Sequence, residues 1–230
     1  RKMENIDSSD TLAVRLKAGL RTCLQLDGIR HGFDFISGEN MLDYSYRLTD
    51  IVSYDEASAY EIEFTPGPGA DVPMYHGSLF IHTNDFALLR AEFHITPEYL
   101  KEMRSSFISN PSKKFATWPV SVNYSVAYRK VAERYYLNHV RGDLRFESRQ
   151  KKRLFRNQFD VFFEMAVTNS SLDNVERFER EDLAPVHSVF SRTINSYDPV
   201  FWGDQEFLKP EENLLNALKN MKVKLQEFSE

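Results

Sequence analysis

Apolar residues alternate with polar ones along most of this chain, the mark of half-buried β-strands. Leu42, Tyr44, Tyr46 and Leu48 take every second position from Met41 on, and Tyr60, Ile62 and Phe64 do so against Glu61, Glu63 and Thr65. Asp55-Glu56-Ala57-Ser58 between them reads as a hairpin connection. Pro66-Gly67-Pro68-Gly69-Ala70-Asp71 breaks the pattern and predicts an exposed loop. Met74 to Thr83 and Phe86 to Ile95 predict two strands joined at Asn84-Asp85. Val120, Val122, Tyr124, Val126 and Tyr128 hold period two through Pro119 to Lys130, and Arg134 to Glu147 returns across a tight turn near Ala132-Glu133. The last strand is Gln158 to Thr168, with Phe159, Val161, Phe163, Met165 and Val167 on one face and Asp160 and Glu164 on the other.

Other spacings predict helices. Leu12, Val14, Leu16 and Ala18 read as a strand, while Leu12, Leu16 and Leu20 at four-residue steps keep a helix open. Leu20 to Ile29 predicts a short helix burying Leu20, Cys23 and Leu24. Thr96-Pro97-Glu98 is a helix start, with a capping Thr, Pro in the first turn and an acid at the positive dipole end. Leu100, Met103 and Phe107 give that helix its apolar face, and Asn110-Pro111-Ser112 ends it. Residues 169–198 are polar and irregular. Pro210 to Phe228 predicts a longer helix with the stripe Leu214, Leu218, Met221, Leu225 and Phe228.

About eight strands joined by short turns must run antiparallel. The economical arrangement is an α+β fold, one large antiparallel sheet with helices against one face. No repeat and no strong linker interrupts the chain, so residues 1–230 read as a single domain.

Composition narrows the function classes more than it names one. The net charge of −5 argues against a dedicated nucleic-acid binder. One cysteine, Cys23, excludes an internal disulfide framework and a zinc site built from several cysteines. No run is long and apolar enough for a membrane span, and no signal peptide is visible. The chain opens on Arg1 rather than Met, which reads as a piece of a longer or processed protein.

The chemical motifs are sparse. No nucleophile elbow, P-loop, zinc-protease or dinucleotide fingerprint occurs. His76 and His82 share a strand face too far apart for one metal, and His94 can pair across the hairpin with a residue near either. Ser78, Ser121, Ser125 and Ser188 need a base and an orienting acid that no spacing supplies. Glu61 and Glu63 share a face but are ordinary for a solvated strand. The run Arg149 to Arg156 is the densest basic cluster: a phosphate or anionic-lipid contact on one reading, a solvated strand end on the other. The 31 aromatic residues either fill a core or line an apolar cavity.

Tyr75-His76-Gly77-Ser78-Leu79-Phe80-Ile81-His82, followed by Arg90-Ala91-Glu92-Phe93, is similar to a hairpin of Gram-negative envelope proteins that carry a carboxypeptidase-like regulatory domain. Looser matches follow in order: Tyr135-Tyr136-Leu137 with Arg141 and Arg145, Glu164 to Thr168, and Phe201-Trp202-Gly203-Asp204 before Pro210. Where that family carries Asp after the hairpin isoleucine, this chain has His82. The hairpin also resembles the lipoprotein-localisation-factor (LolA-like) fold. The resemblance implies a large curved antiparallel sheet, a half-barrel, with helices packed on its concave face around an apolar interior. It implies a periplasmic or outer-membrane-associated address, no catalytic role and no cofactor. The regulatory domain itself would precede Arg1. Tyr60, Phe64, Phe93, Phe163 and Leu218 are the candidates to line the interior. The expected function is a non-catalytic envelope domain that binds a lipid, another apolar ligand or an envelope protein. An envelope hydrolase with an unlocated cleft and a structural module of an outer-membrane protein are the alternatives.

Overall fold

The computed structural model describes residues 14–16, 20–54, 57–68, 74–152, 154–173 and 175–179. The chain divides into two units, Arg1–Arg177 and Phe178–Glu230. All that follows concerns the first. The expected helix Pro210 to Phe228, and Leu218 with it, lie outside the described residues.

Seven strands form one open antiparallel sheet. They are β2 (Tyr44–Tyr54), β3 (Ala57–Pro66), β4 (Tyr75–His82), β5 (Leu88–Ile95), β7 (Phe115–Val131), β8 (Arg134–Gln150) and β9 (Arg156–Ala166), in that spatial order. Neighbours in sequence are neighbours in space, as short turns require. A separate two-stranded sheet pairs β1 (Val14–Leu16) with β6 (Ile108–Pro111). The ambiguous Thr11 to Ala18 segment is thus extended at Val14–Leu16.

Among the described residues the helices are few and short, so of the expected α+β fold the large antiparallel sheet is what stands clear, rather than a sheet with distinct helices on a concave face. The predicted helix Leu20 to Ile29 is two pieces, α1 (Leu20–Gln25) and α2 (Gly28–His31). Asp27 separates them because its carboxylate accepts from the N–H groups of Ile29 and Arg30 and starts a second helix. Cys23 is buried as expected, but Leu24 is exposed. The predicted helix after Thr96 is likewise α3 (Pro97–Leu100) and α4 (Arg104–Phe107), and the chain turns into β6 at Ile108. The fold is sheet-dominated.

Alternation places one apolar row directly across the sheet. Ile62, Leu79, Ala91, Val126, Val140 and Met165 are register partners on six successive strands. The adjacent row is Phe64, Gly77, Phe93, Tyr124, Gly142 and Phe163. The glycines sit where there is no room for a side chain. A Cβ on Gly77 would strike the Glu92 carbonyl, and one on Gly142 would overlap the Phe163 ring.

Residues 20–43 cover one part of this face. Phe35 is fully buried and stacks on Phe64 at 4.2 Å, and Phe33 stacks on Phe35 at 4.9 Å. Both rings also contact Phe93. Gly28 donates its N–H to the Tyr128 hydroxyl at 2.8 Å, tying α2 to β7 across 100 residues of chain. A second cluster joins Leu100, Phe107 and Ile108 to Ile95, Val122, Leu144 and Phe146. Burying this many rings supplies the apolar transfer energy that holds the short helices in place, since none could persist alone.

A candidate binding surface on the polar face

The other face of the same strands carries a row of charged and polar side chains. Arg47, Glu63, Ser78, Glu92, Ser125, Arg141 and Glu164 are register partners from β2 to β9. Period two forces this: from β3 to β9 each lies one residue from the aromatic–glycine row, and Arg47 lies one residue from Tyr46, the partner of Phe64, so all point the other way. A depression of 620 Å³ opens over the middle of the row, lined among others by Glu63, Ser78, Glu92, Ser125, Arg141 and Asp143.

Its charges are mutually paired. Arg47 pairs with Glu63, and Arg90 with Glu92. Arg90 Nε also donates to Ser125 Oγ at 3.2 Å. Arg141 makes two 2.8 Å hydrogen bonds to Asp143 and lies 5.2 Å from the Phe162 ring centroid. His139 meets Glu164 at 2.7 Å. Such pairs fix the orientation of long side chains more than they stabilise the fold, because exposed pairs contribute about 0–1 kcal/mol each. The outcome is a patterned surface on rigid strands.

His94 sits directly opposite His76, and their rings stack at 5.3 Å. Burial lowers the His94 pKa, and the neighbouring His76 lowers it further, so His94 favours its neutral form. His82 instead pairs with Asp85 in the β4–β5 turn at 2.7 Å. Among the described residues no group of three or more His, Cys, Asp or Glu side chains is arranged to hold a metal ion.

Of the serines weighed in the sequence, Ser78 donates to Glu61 Oε1 at 3.3 Å, Ser125 accepts from Arg90, and Ser121 accepts from Asn123 at 3.0 Å. Ser188 lies outside the described residues. Glu61 and Glu63 are occupied separately, by Ser78 and by Arg47. On the apolar side, burial pushes the Tyr44 hydroxyl up to about 12 and raises those of Tyr75, Tyr124 and Tyr128, so they act as neutral hydrogen-bonding groups. Burial also raises the Cys23 thiol, which leaves it a poor nucleophile.

The expected cavity-lining residues fall into three situations. Phe64 and Phe93 are brought together and both are buried, packed against the inserted Phe35. Phe163 and Tyr60 are half-buried on β9 and β3, and Phe163 packs against the Phe93 cluster through Tyr124. Leu218 is not among the described residues. The sequence named Ser125 only as one of several serines and Arg90, Glu92 and Arg141 only within a resemblance, and it did not name Asp143, because their convergence depends on the register of β5, β7 and β8. Among the described residues no helix is long and apolar enough to cross a membrane. Comparison with protein-family models, with curated proteins and with solved structures finds no match to this chain.

Proposed function

We propose that this chain is a non-catalytic binding domain of the cell envelope that engages a partner protein through the polar face of its sheet. The observation that carries the reading is the seven-strand polar row with the 620 Å³ depression at its centre. Paired charges on rigid strands give a partner a fixed electrostatic pattern, which is how polar surfaces achieve specificity and register. The apolar face is already occupied by Phe33 and Phe35, which favours a partner over a lipid held beneath the sheet. In this reading the sheet is the half-barrel of the LolA-like resemblance, with residues 20–43 and α3–α4 on its concave side. The envelope address is supported by the same resemblance, whose residues Tyr75–His82 and Arg90–Phe93 form the β4–β5 hairpin.

The test is the elution of the full-length protein from envelope extracts, for wild type and for a variant combining Glu92→Arg with Arg141→Glu. The wild type should elute in a larger complex, and the variant as the free chain with its melting temperature little changed. Recovery in the cytosol, or identical elution of both, would contradict the proposal.

A hydrolase reading has one observation behind it, the Ser78–Glu61 hydrogen bond at the edge of the same depression. Labelling by a serine-directed covalent probe, lost in Ser78→Ala, would favour it over partner binding.

A further inference from the structure

A second depression, of 560 Å³, lies where β7 outruns β5. The β5–β7 ladder covers Asn123 to Ala127, and the earlier part of β7 has β8 on one side and α3 and α4 nearby. The walls are Lys101 from the turn after α3 and Arg104 from the start of α4, and Arg149 and Arg156 from the ends of β8 and β9, with Trp118 beside them.

Four cations from three parts of the fold line this depression in a protein whose net charge is −5. Glu147 takes one of them, bonding Arg156 at 3.2 Å, while Arg156 also lies 5.7 Å from the Trp118 ring centroid. Lys101, Arg104 and Arg149 have no acidic partner among the described residues. The Nε of Arg149 is buried and makes no hydrogen bond there. Like charges around one depression and a buried donor without a protein partner are both features that a bound anion would satisfy. A merely solvated strand end explains Arg149 and Arg156, but not Lys101 and Arg104 arriving from a separate element.

We propose that this pocket binds a phosphate group, with Arg104 and Arg149 as its principal donors. Guanidinium groups match a tetrahedral oxyanion in geometry and charge. The phosphate can arrive on a soluble molecule or on a lipid headgroup.

Trp118 reports the site once Trp202→Phe leaves it as the only tryptophan of the full chain. Inorganic pyrophosphate, titrated at constant ionic strength, should change Trp118 emission saturably, whereas chloride should not. Arg104→Gln and Arg149→Gln should each raise the midpoint by about tenfold or more, and Arg149→Lys should recover part of the loss. Sedimentation with phosphatidylglycerol vesicles but not phosphatidylcholine vesicles, competed by pyrophosphate and lost in both variants, assigns the phosphate to a lipid. A pyrophosphate response without vesicle binding assigns it to a soluble ligand. Arg104 and Arg149 lie on different elements, so misfolding of one variant leaves the other to carry the comparison. Absence of both responses, or responses equal in wild type and variants, would overturn the proposal.

Discussion

The ring of Phe163 on β9 occupies the space that a side chain on Gly142 of β8 would need. The two are direct register partners, so the contact locks the position of β9 against β8 as well as filling volume. Phe163 is only half-buried, and Phe163→Ala should cost about 2 kcal/mol rather than the 3–5 of a fully enclosed ring. Urea unfolding measures this. A cost under about 0.5 kcal/mol would show that the ring is not part of the core.

The hydroxyl of Tyr128 is the partner of the buried Gly28 N–H. Tyr128→Phe keeps the ring and removes the acceptor, leaving a donor unsatisfied. The expected loss is about 1–3 kcal/mol, read by denaturant unfolding with an unchanged slope. No loss would mean that solvent or another group satisfies Gly28.

Ala132 takes a left-handed φ of 53° in the two-residue turn between β7 and β8. A Cβ is strained there, and glycine is not. Ala132→Gly should therefore stabilise the protein by about 1 kcal/mol, the relief exceeding the added unfolded-state entropy. A lower melting temperature in the variant would count against this turn geometry.

Two of the described groups, His94 and Asp85, contribute to the response to acid. The His94 pKa is depressed, so the unfolded chain binds its proton first, and the stabilisation present above about 6.5 is lost as pH falls below it. Asp85 is slightly desolvated, which works against ionisation. Hydrogen bonds from Tyr135, the Ala87 N–H, Lys130 and His82 prevail and hold its carboxyl at about 2. Its contribution is complete above the ordinary carboxylate pKa of about 3.9 and is lost as pH falls through about 2. Thermal melts from pH 7 to pH 2 should show a decline below neutrality that flattens in His94→Gln, and a separate acid limb that flattens in Asp85→Asn. Unchanged profiles in both variants would contradict these assignments.

Most strands of the seven-stranded sheet were legible in the sequence because period two survives along much of their length. The β4–β5 hairpin, the β7–β8 pair and β9 lie where alternation and turn residues predict. The short helices were less legible, since Asp27 reads as a mid-helix residue until its side chain is seen capping a new turn. β6 is four residues including a proline, too short for any period to show. The polar row was invisible for a different reason. Register shifts fall between Leu48 and Asp50, Phe80 and Ile81, Pro119 and Ser121, and Ala127 and Tyr128, and each changes which residues meet across strands. The shift at Pro119 also explains why Thr117 and Pro119 are buried, while Val120, which alternation groups with Val122 and Tyr124, is only half-buried.

A photo-crosslinking amino acid at Ser125, in the middle of the polar row, measures the central proposal most directly. Placed in the full-length protein in living cells, it should give one dominant adduct with an envelope protein. The same group at exposed Leu42, off the row, should give none of that adduct. The adduct should also disappear when Arg141→Glu is added. Equal adducts from Leu42 and Ser125, or none from Ser125 in a folded protein, would contradict the assignment of this face as the binding surface.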